Sequence, residues 1–332
     1  MLELNRRKLM TGAVAASAAT ALSPFTAAPA FAAAPLAGKQ NPGWYRYKVG
    51  GIEVTVVTDG SGTNPLSPIY VANAQKDAVN AALEADHLAK DVATHAYSPL
   101  VVNTGAKLVA IDTGLGLGVY QQSKGALGQY HTNLVAAGID KNTVDIVLIS
   151  HLHGDHINGL LDADNKLAFA NAEVMVPEAE VKYWMDDSNA ARMPEPVRPQ
   201  FANVKRVLGA LGNKVTQYAG GKEIVPGLTS IAAPGHTPGH TAFMLVSGSE
   251  RALFQVDITA GTPSIFARNP GWRFLFDVDG PLAEQTRRKL YDMAIAEKLL
   301  VQGYHIPFPS IVHVEKNGNG YRLIPALWRP TI

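Results

Sequence analysis

Val144-Asp145-Ile146-Val147-Leu148-Ile149-Ser150-His151-Leu152-His153-Gly154-Asp155-His156 is the stretch from which the rest of the chain can be read. Its first seven residues form an apolar run, the pattern of a strand buried on both faces. Its last six hold three of the chain's ten histidines and one aspartate. Four metal-competent side chains therefore stand at the carboxyl end of a buried strand. Alternation in an extended segment puts His151 and His153 on one side. The chain then turns at Gly154, so Asp155 and His156 project from another angle and could serve a second metal. Imidazole with carboxylate suits zinc, manganese, iron or nickel. A polar loop rich in histidine by accident would not concentrate ligand types this densely.

Working outward, strands are expected at Gly51–Thr58, Leu100–Asn103, Ala106–Ile111, Glu173–Val176, Leu228–Ala233, Ala242–Ser247, Ala252–Val256, Leu299–Tyr304 and Ile311–Glu315. Helices are expected at Asp77–Leu88, at Val119–Ala137 with Gly138 as its stop, and at Pro281–Leu300. Residues 177–213 lean helical but are broken by Pro194, Pro196 and Pro199. The stretch 186–200 reads as a surface loop near a site mouth, with a contact between two copies of the chain left open. Strands first, then mixed elements, imply a layered α/β domain in which helices cover the sheets. No repeat or linker divides the chain after residue 43, so one domain is expected over 33–332.

Composition narrows the chemistry. Of 332 residues, 47% are hydrophobic and 17% charged, enough to build a core. The net charge of +1 gives no electrostatic footprint for nucleic acid. There is no cysteine, which excludes disulfides, thiolate metal sites, iron–sulfur clusters and a cysteine nucleophile. Any metal must be held by His, Asp or Glu. The amino end has a basic cluster at Arg6, Arg7 and Lys8, a mildly apolar run from Leu9 to Leu22, and the small-x-small triplet Ala30-Phe31-Ala32. Residues 1–32 therefore read as a signal peptide whose paired arginines resemble a twin-arginine signal. The expected location is outside the cytoplasm, periplasmic or secreted. The apolar run is shorter than the roughly 20 residues of a spanning helix, so no stable membrane anchor is expected.

The pattern His151-x-His153-x-Asp155-His156 resembles the signature of the metallo-β-lactamase superfamily. The resemblance continues in order through Ala233-Pro234-Gly235-His236-Thr237-Pro238-Gly239-His240, Phe254-Gln255-Val256-Asp257 and Tyr304-His305. It covers about residues 44–332 and implies an αββα sandwich, two mixed sheets with helices outside. It implies that His151, His153 and His236 bind one metal, that Asp155, His156 and His305 bind another, and that Asp257 bridges them. Two divalent ions, zinc foremost, would share a bridging hydroxide, with Asp257 or Asp155 in the proton chemistry. Asp112 and His240 would support the ligands from behind. His87, His95, His131 and His313 fit no ligand position.

Hydrolysis of an ester, lactone, amide or phosphoester of a small molecule follows from that resemblance. β-Lactamases with a cysteine ligand are excluded, and a glyoxalase II would lack its intracellular thioester outside the cell. Within the superfamily the chain looks most like the methyl parathion hydrolases and the related quorum-quenching lactonases. That likeness offers Trp184, Phe201 and Tyr120 as an aromatic pocket wall and a homodimer as the assembly. Lactonases acting on N-acyl homoserine lactones often carry a Tyr three residues past the bridging Asp, where this chain has Ala260. The expectation is therefore a hydrolase of an aryl ester, aryl lactone or organophosphate, with acyl-homoserine lactonase as the alternative. A non-catalytic metal-binding protein is a minor alternative, since such proteins usually lose ligands and here every position is filled.

Overall fold

The computed structural model describes residues 36–332, so the signal-peptide reading of 1–32 lies outside the described residues. Residues Pro42–Ile332 form one compact unit. The described residues hold two seven-stranded sheets. The first runs, in spatial order, Trp44–Val49, Ile52–Val57, Leu100–Asn103, Leu108–Ile111, Ile146–Leu148, Glu173–Pro177 and Val215–Tyr218. The second runs Glu223–Val225, Leu228–Ala232, Thr241–Ser247, Glu250–Val256, Leu300–Gly303, Ile311–Asn317 and Gly320–Pro325. A separate two-stranded antiparallel sheet pairs Gly60–Pro65 with Val92–Tyr97.

Strand alternation sets the layers. Ile146 and Leu148 face the second sheet, in a core they share with Val54, Val56, Phe243, Leu245 and Phe254. Val147 and Ile149 face the other way, toward Leu134, Phe169, Val204 and Val207 under the helices of the first half. Leu253, Val301, Leu290 and Tyr291 make the matching core beneath the helix Gly280–Ala296. The result is helix, sheet, sheet, helix, the αββα sandwich of mixed pairing. This also explains the apolar run before His151, because each of its residues has a buried side to fill.

Three local expectations change. The single helix over Val119–Ala137 is two, Leu117–Gln122 and Tyr130–Ala136. Lys124, Gly125 and Gly128 between them adopt φ of 54°, 84° and 73°. The buried Asp59 carboxylate accepts the Tyr130 N–H at 2.7 Å and fixes the restart of the helix. The strand Trp44–Val49 precedes the first expected one and joins it through Gly50-Gly51, a two-residue hairpin that needs the positive φ of 56° at Gly50. The proline-rich stretch is mostly exposed, as a surface loop would be, but contains the short helix Asp187–Ala190 and buries Val197. Among the described residues no helix is long and apolar enough to cross a membrane.

Candidate metal centre

The strand through Leu148 continues extended, with Ile149 N–H on Met175 O at 2.8 Å. It is then captured by Asp112, whose Oδ1 accepts the Ser150 N–H at 2.8 Å. His151 leaves this end. His153 is the extended cap of the one-turn helix Gly154–Ile157, so Asp155 and His156 project from that turn at another angle. Gly235, at φ 130°, lets the His236 segment press on the long helix, because a Cβ there would lie 2.2 Å from Ala283 N. Asp257 follows a register shift between Phe254 and Val256, and Val256 itself takes φ 52°. A β-branched residue in that region stores strain of order 1–3 kcal/mol, and the bulge re-aims the next side chain. His305 follows the strand Leu300–Gly303.

All seven expected ligand residues meet. His151 Nε2 and His236 Nε2 lie 3.1 Å and 3.0 Å from His153 Nδ1. Asp257 Oδ2 is 3.0 Å from His305 Nε2, 3.4 Å from His236 Nε2, 3.5 Å from His156 Nε2 and 3.9 Å from His151 Nε2. Asp155 Oδ2 is 3.5 Å from both His156 Nε2 and His305 Nε2. The donors form three clusters, His151–His153–His236, His151–His156–Asp257 and Asp155–His156–His305, each with its ligand atoms within 4.8 Å of one another.

The far side of each ring shows which nitrogen is bare. His156 Nδ1–H donates to Asp112 Oδ2 at 2.8 Å. His236 Nδ1–H donates to Asp277 Oδ1 at 2.9 Å, and His305 Nδ1–H to Ala96 O at 2.8 Å. Ser150 Oγ–H donates to Asp112 Oδ2 at 2.7 Å, so Ser150 Oγ accepts from His151 Nδ1–H at 3.0 Å. Each of these four rings is thus anchored through its Nδ1 and turns its Nε2 inward. His156 Nε2 and Asp257 Oδ1 are buried with no hydrogen-bond partner. A tetrahedral cation with nitrogen ligands at 2.0–2.1 Å separates those nitrogens by about 3.3 Å, close to the spacing seen here. Bare inward nitrogens held by outer acceptors are how proteins prepare imidazoles for a metal.

Electrostatics agree. Burial holds the pKa of His151 and His153 well below the usual imidazole value, and the neighbouring imidazoles lower it further. Burial also opposes charge on His156, but the carboxylates of Asp155, Asp257 and Asp112 outweigh it and hold its pKa well above the usual value. Asp257 and Asp155 likewise raise His305 against its burial. Despite burial, Asp155 and Asp257 are held below the usual carboxylate range by His156 and His305. Carboxylates that stay charged, beside two imidazoles kept neutral by burial and two whose protons a cation would displace, are a donor set for a metal.

Asp112 and His240 stand behind the ligands. His240 Nδ1–H donates to Ala233 O at 3.0 Å, and its Nε2 accepts the backbone N–H of Asp257 at 3.0 Å. Three supporting residues were not anticipated. Asp277 holds His236 and is itself 3.7 Å from the buried Arg287. Glu180 is fully buried between the two metal segments. Tyr304 donates its hydroxyl to Asp155 O.

The expected pocket wall is corrected in part. Trp184 is 0% and Phe201 3% exposed, packed on each other at 4.6 Å between ring centres. Trp184 meets His153 edge-on at 5.5 Å. Both belong to the core behind the site and have little surface to offer a substrate. Tyr120 is half-buried against the turn at Gly125, 3.5 Å from a Cβ placed there. Two further aromatics lie beside the cluster, Phe274, stacked 6.3 Å from His236, and Phe276, 6.2 Å from His153. Of the histidines outside the ligand set, His131 bonds Gly159 O and His313 bonds Leu299 O. His95 packs beside Tyr97, near His305, and burial with the His305 charge lowers its pKa to about 4.

Residues 95–297 match the family model of the metallo-beta-lactamase superfamily, and the chain belongs to that superfamily. It is 26% identical, with a TM-score of 0.79 over 86% of this chain and 98% of the other, to AidC, a dizinc quorum-quenching lactonase solved with its product. It is 28% identical, with a TM-score of 0.78 over 88% of this chain and 100% of the other, to the hydrolase AbOPH. Among curated proteins it is 32% identical over 98 residues to the uncharacterized protein YobT of Bacillus subtilis, spanning 40% of that protein's length. It is 25% identical over 210 residues to an N-acyl homoserine lactonase of a Bacillus species, 61% of this chain and 74% of that one. The His and Asp cluster fits two divalent metal ions, and zinc matches both its nitrogen and oxygen donors and the dizinc centre of AidC.

Proposed function

We propose that this chain is a binuclear metal-dependent hydrolase of a small-molecule ester, lactone or organophosphate. The observation that carries the proposal is the gathering of four inward Nε2 atoms, His153 Nδ1, Asp155 and Asp257 into three adjoining donor clusters. In this reading His151, His153 and His236 hold one ion, Asp155, His156 and His305 hold the other, and Asp257 serves both. Two divalent ions held by these residues would supply a nucleophile at neutral pH and a Lewis acid for the bond to be broken. The chain's own residues do the rest. Asp112, Asp277 and Ala96 O fix which nitrogen of His156, His236 and His305 is bare. Asp257 and Asp155 are ionised carboxylates at the reacting point, able to take a proton and return it to the leaving oxygen.

Lactone hydrolysis is supported by the likeness to AidC and to the Bacillus lactonase. A second reading, an aryl ester or organophosphate, is favoured by Ala260. That residue is buried among Tyr70, Phe266 and Phe274, so no phenol stands three residues after Asp257. We also propose that the enzyme works outside the cytoplasm, on the strength of Arg6-Arg7 and Ala30-Phe31-Ala32.

The test is metal content with turnover of a small panel: an aryl ester, an aryl lactone, an acyl-homoserine lactone, methyl parathion and a β-lactam. Two ions per chain, and hydrolysis lost in Asp257→Ala and His305→Ala, is the expected result. The preferred compound then separates the two readings. Less than one ion per chain and no turnover after loading with zinc or manganese would overturn the proposal in favour of a binding role.

A further inference from the structure

Glu180 is a buried acid in the short helix Glu178–Trp184 and forms no ion pair with Lys, Arg or His among the described residues. An unpaired carboxylate in an interior is costly unless N–H donors replace the lost water. Here they do. Glu180 Oε2 accepts the Leu152 N–H at 3.0 Å and the Trp184 Nε1–H at 2.8 Å. Glu180 Oε1 accepts the Gly239 N–H at 2.6 Å.

The positions of those donors matter more than their number. Leu152 lies between His151 and His153. Gly239 lies three residues past His236, in the turn that presents it. Trp184 is the residue whose ring edge meets His153. The approach is close enough to dictate the residue opposite, because a Cβ at Gly239 would lie 2.6 Å from Glu180 N and 2.9 Å from its Cγ.

We infer that Glu180 is a positioning residue: one carboxylate ties the His151–His153 segment to the His236 segment and so sets the spacing of the three-histidine group. The inference rests on the reading of those histidines as a metal site. Asp155, His156 and His305 receive nothing from Glu180, so its effect is confined to one of the two ion sites.

Glu180→Gln makes this testable. Glutamine keeps one acceptor oxygen, which suits the Leu152 and Trp184 donors, and turns its amide N–H toward Gly239 N–H. The tie to the His236 segment is cut while the other end holds. Zinc affinity is measured by competition with a chelator, alongside the melting temperature of the metal-free proteins. The expected result is a fall of about 10–100-fold in one of the two affinities, the range for loss of an outer partner of a metal ligand. It should be the affinity that Asp277→Ala lowers, not the one that Asp155→Ala lowers, and the metal-free melting temperature should hold. Equal loss of both affinities, or a lower metal-free melting temperature with both kept, would reduce Glu180 to a packing residue and overturn the inference. If Glu180→Gln does not fold, Trp184→Phe removes one donor while keeping the aromatic packing. A smaller fall in the same affinity then supports the inference, and no fall overturns it. Wild-type protein that binds fewer than two ions would instead overturn the metal reading itself.

Discussion

The two ligand groups meet water differently. His151, His153 and His236 are at most 4% exposed and carry no carboxylate of their own. The other group keeps an opening, since the Asp155 side chain is 20% exposed while His156 is fully buried. Two rings of the closed group are held from behind, His151 by Ser150 and His236 by Asp277, while Glu180 holds the backbone beside them. The open group is charged, with two imidazoles between two carboxylates. The difference is one of access: one end of the cluster is closed off, and the other reaches the surface at Asp155.

Asp257 belongs to both groups, so its loss should have the largest effect. Asp257→Ala is expected to lower turnover by roughly 10³-fold or more and to leave less than two ions per chain, because each ion loses a ligand. Full retention of one ion with its wild-type affinity would show that the carboxylate serves only one side. Next comes Asp277→Ala, which touches the closed group alone. Binding of one ion should weaken about 10–100-fold, read by chelator competition, with the other unchanged. A change in both would erase the contrast drawn above.

Acid should separate the groups in order. His156 and His305 are held above the usual imidazole pKa by their carboxylates, whereas His151 and His153 are held well below it by burial. A raised pKa means the proton binds at higher pH. As pH falls, protons therefore compete first for the open group, and the ion held there should leave before the one in the closed group. Ion counts after dialysis at stepped pH check this, and loss of both ions in a single step would contradict it. The smallest effect is expected of Tyr304→Phe, which removes one hydrogen bond to the Asp155 backbone. About 1 kcal/mol, or roughly fivefold in the affinity of the open group, is the expected scale.

Much of this was legible in the sequence. The run before His151 could be read as a doubly buried strand because both of its faces find cores. The ligand segments could be read because each couples a strand end to a short motif. The supporting carboxylates could not. Asp277 is 41 residues from His236, and Glu180 is 59 from Gly239, with no periodicity to link them. Asp59, which splits the expected long helix, acts on Tyr130 from 71 residues away. Trp184 showed the complementary limit. It was expected as an aromatic wall over the site, but its full burial depends on Phe201 and on the Glu180 oxygen that accepts its indole N–H.

The segment 272–279 has a consequence for how such an enzyme can change. It puts Phe274 and Phe276 beside the two histidines and, one position further, the carboxylate that orients His236. The Asp277 carboxylate also accepts the N–H of Phe274 at 3.1 Å, so the aromatic and the acid move as one piece. A substitution at Phe274 or Phe276 is therefore expected to disturb the carboxylate that orients His236, and metal loading with it. Packing of this segment and retention of metal are then linked traits, and variants altered here should be compared at controlled metal concentration.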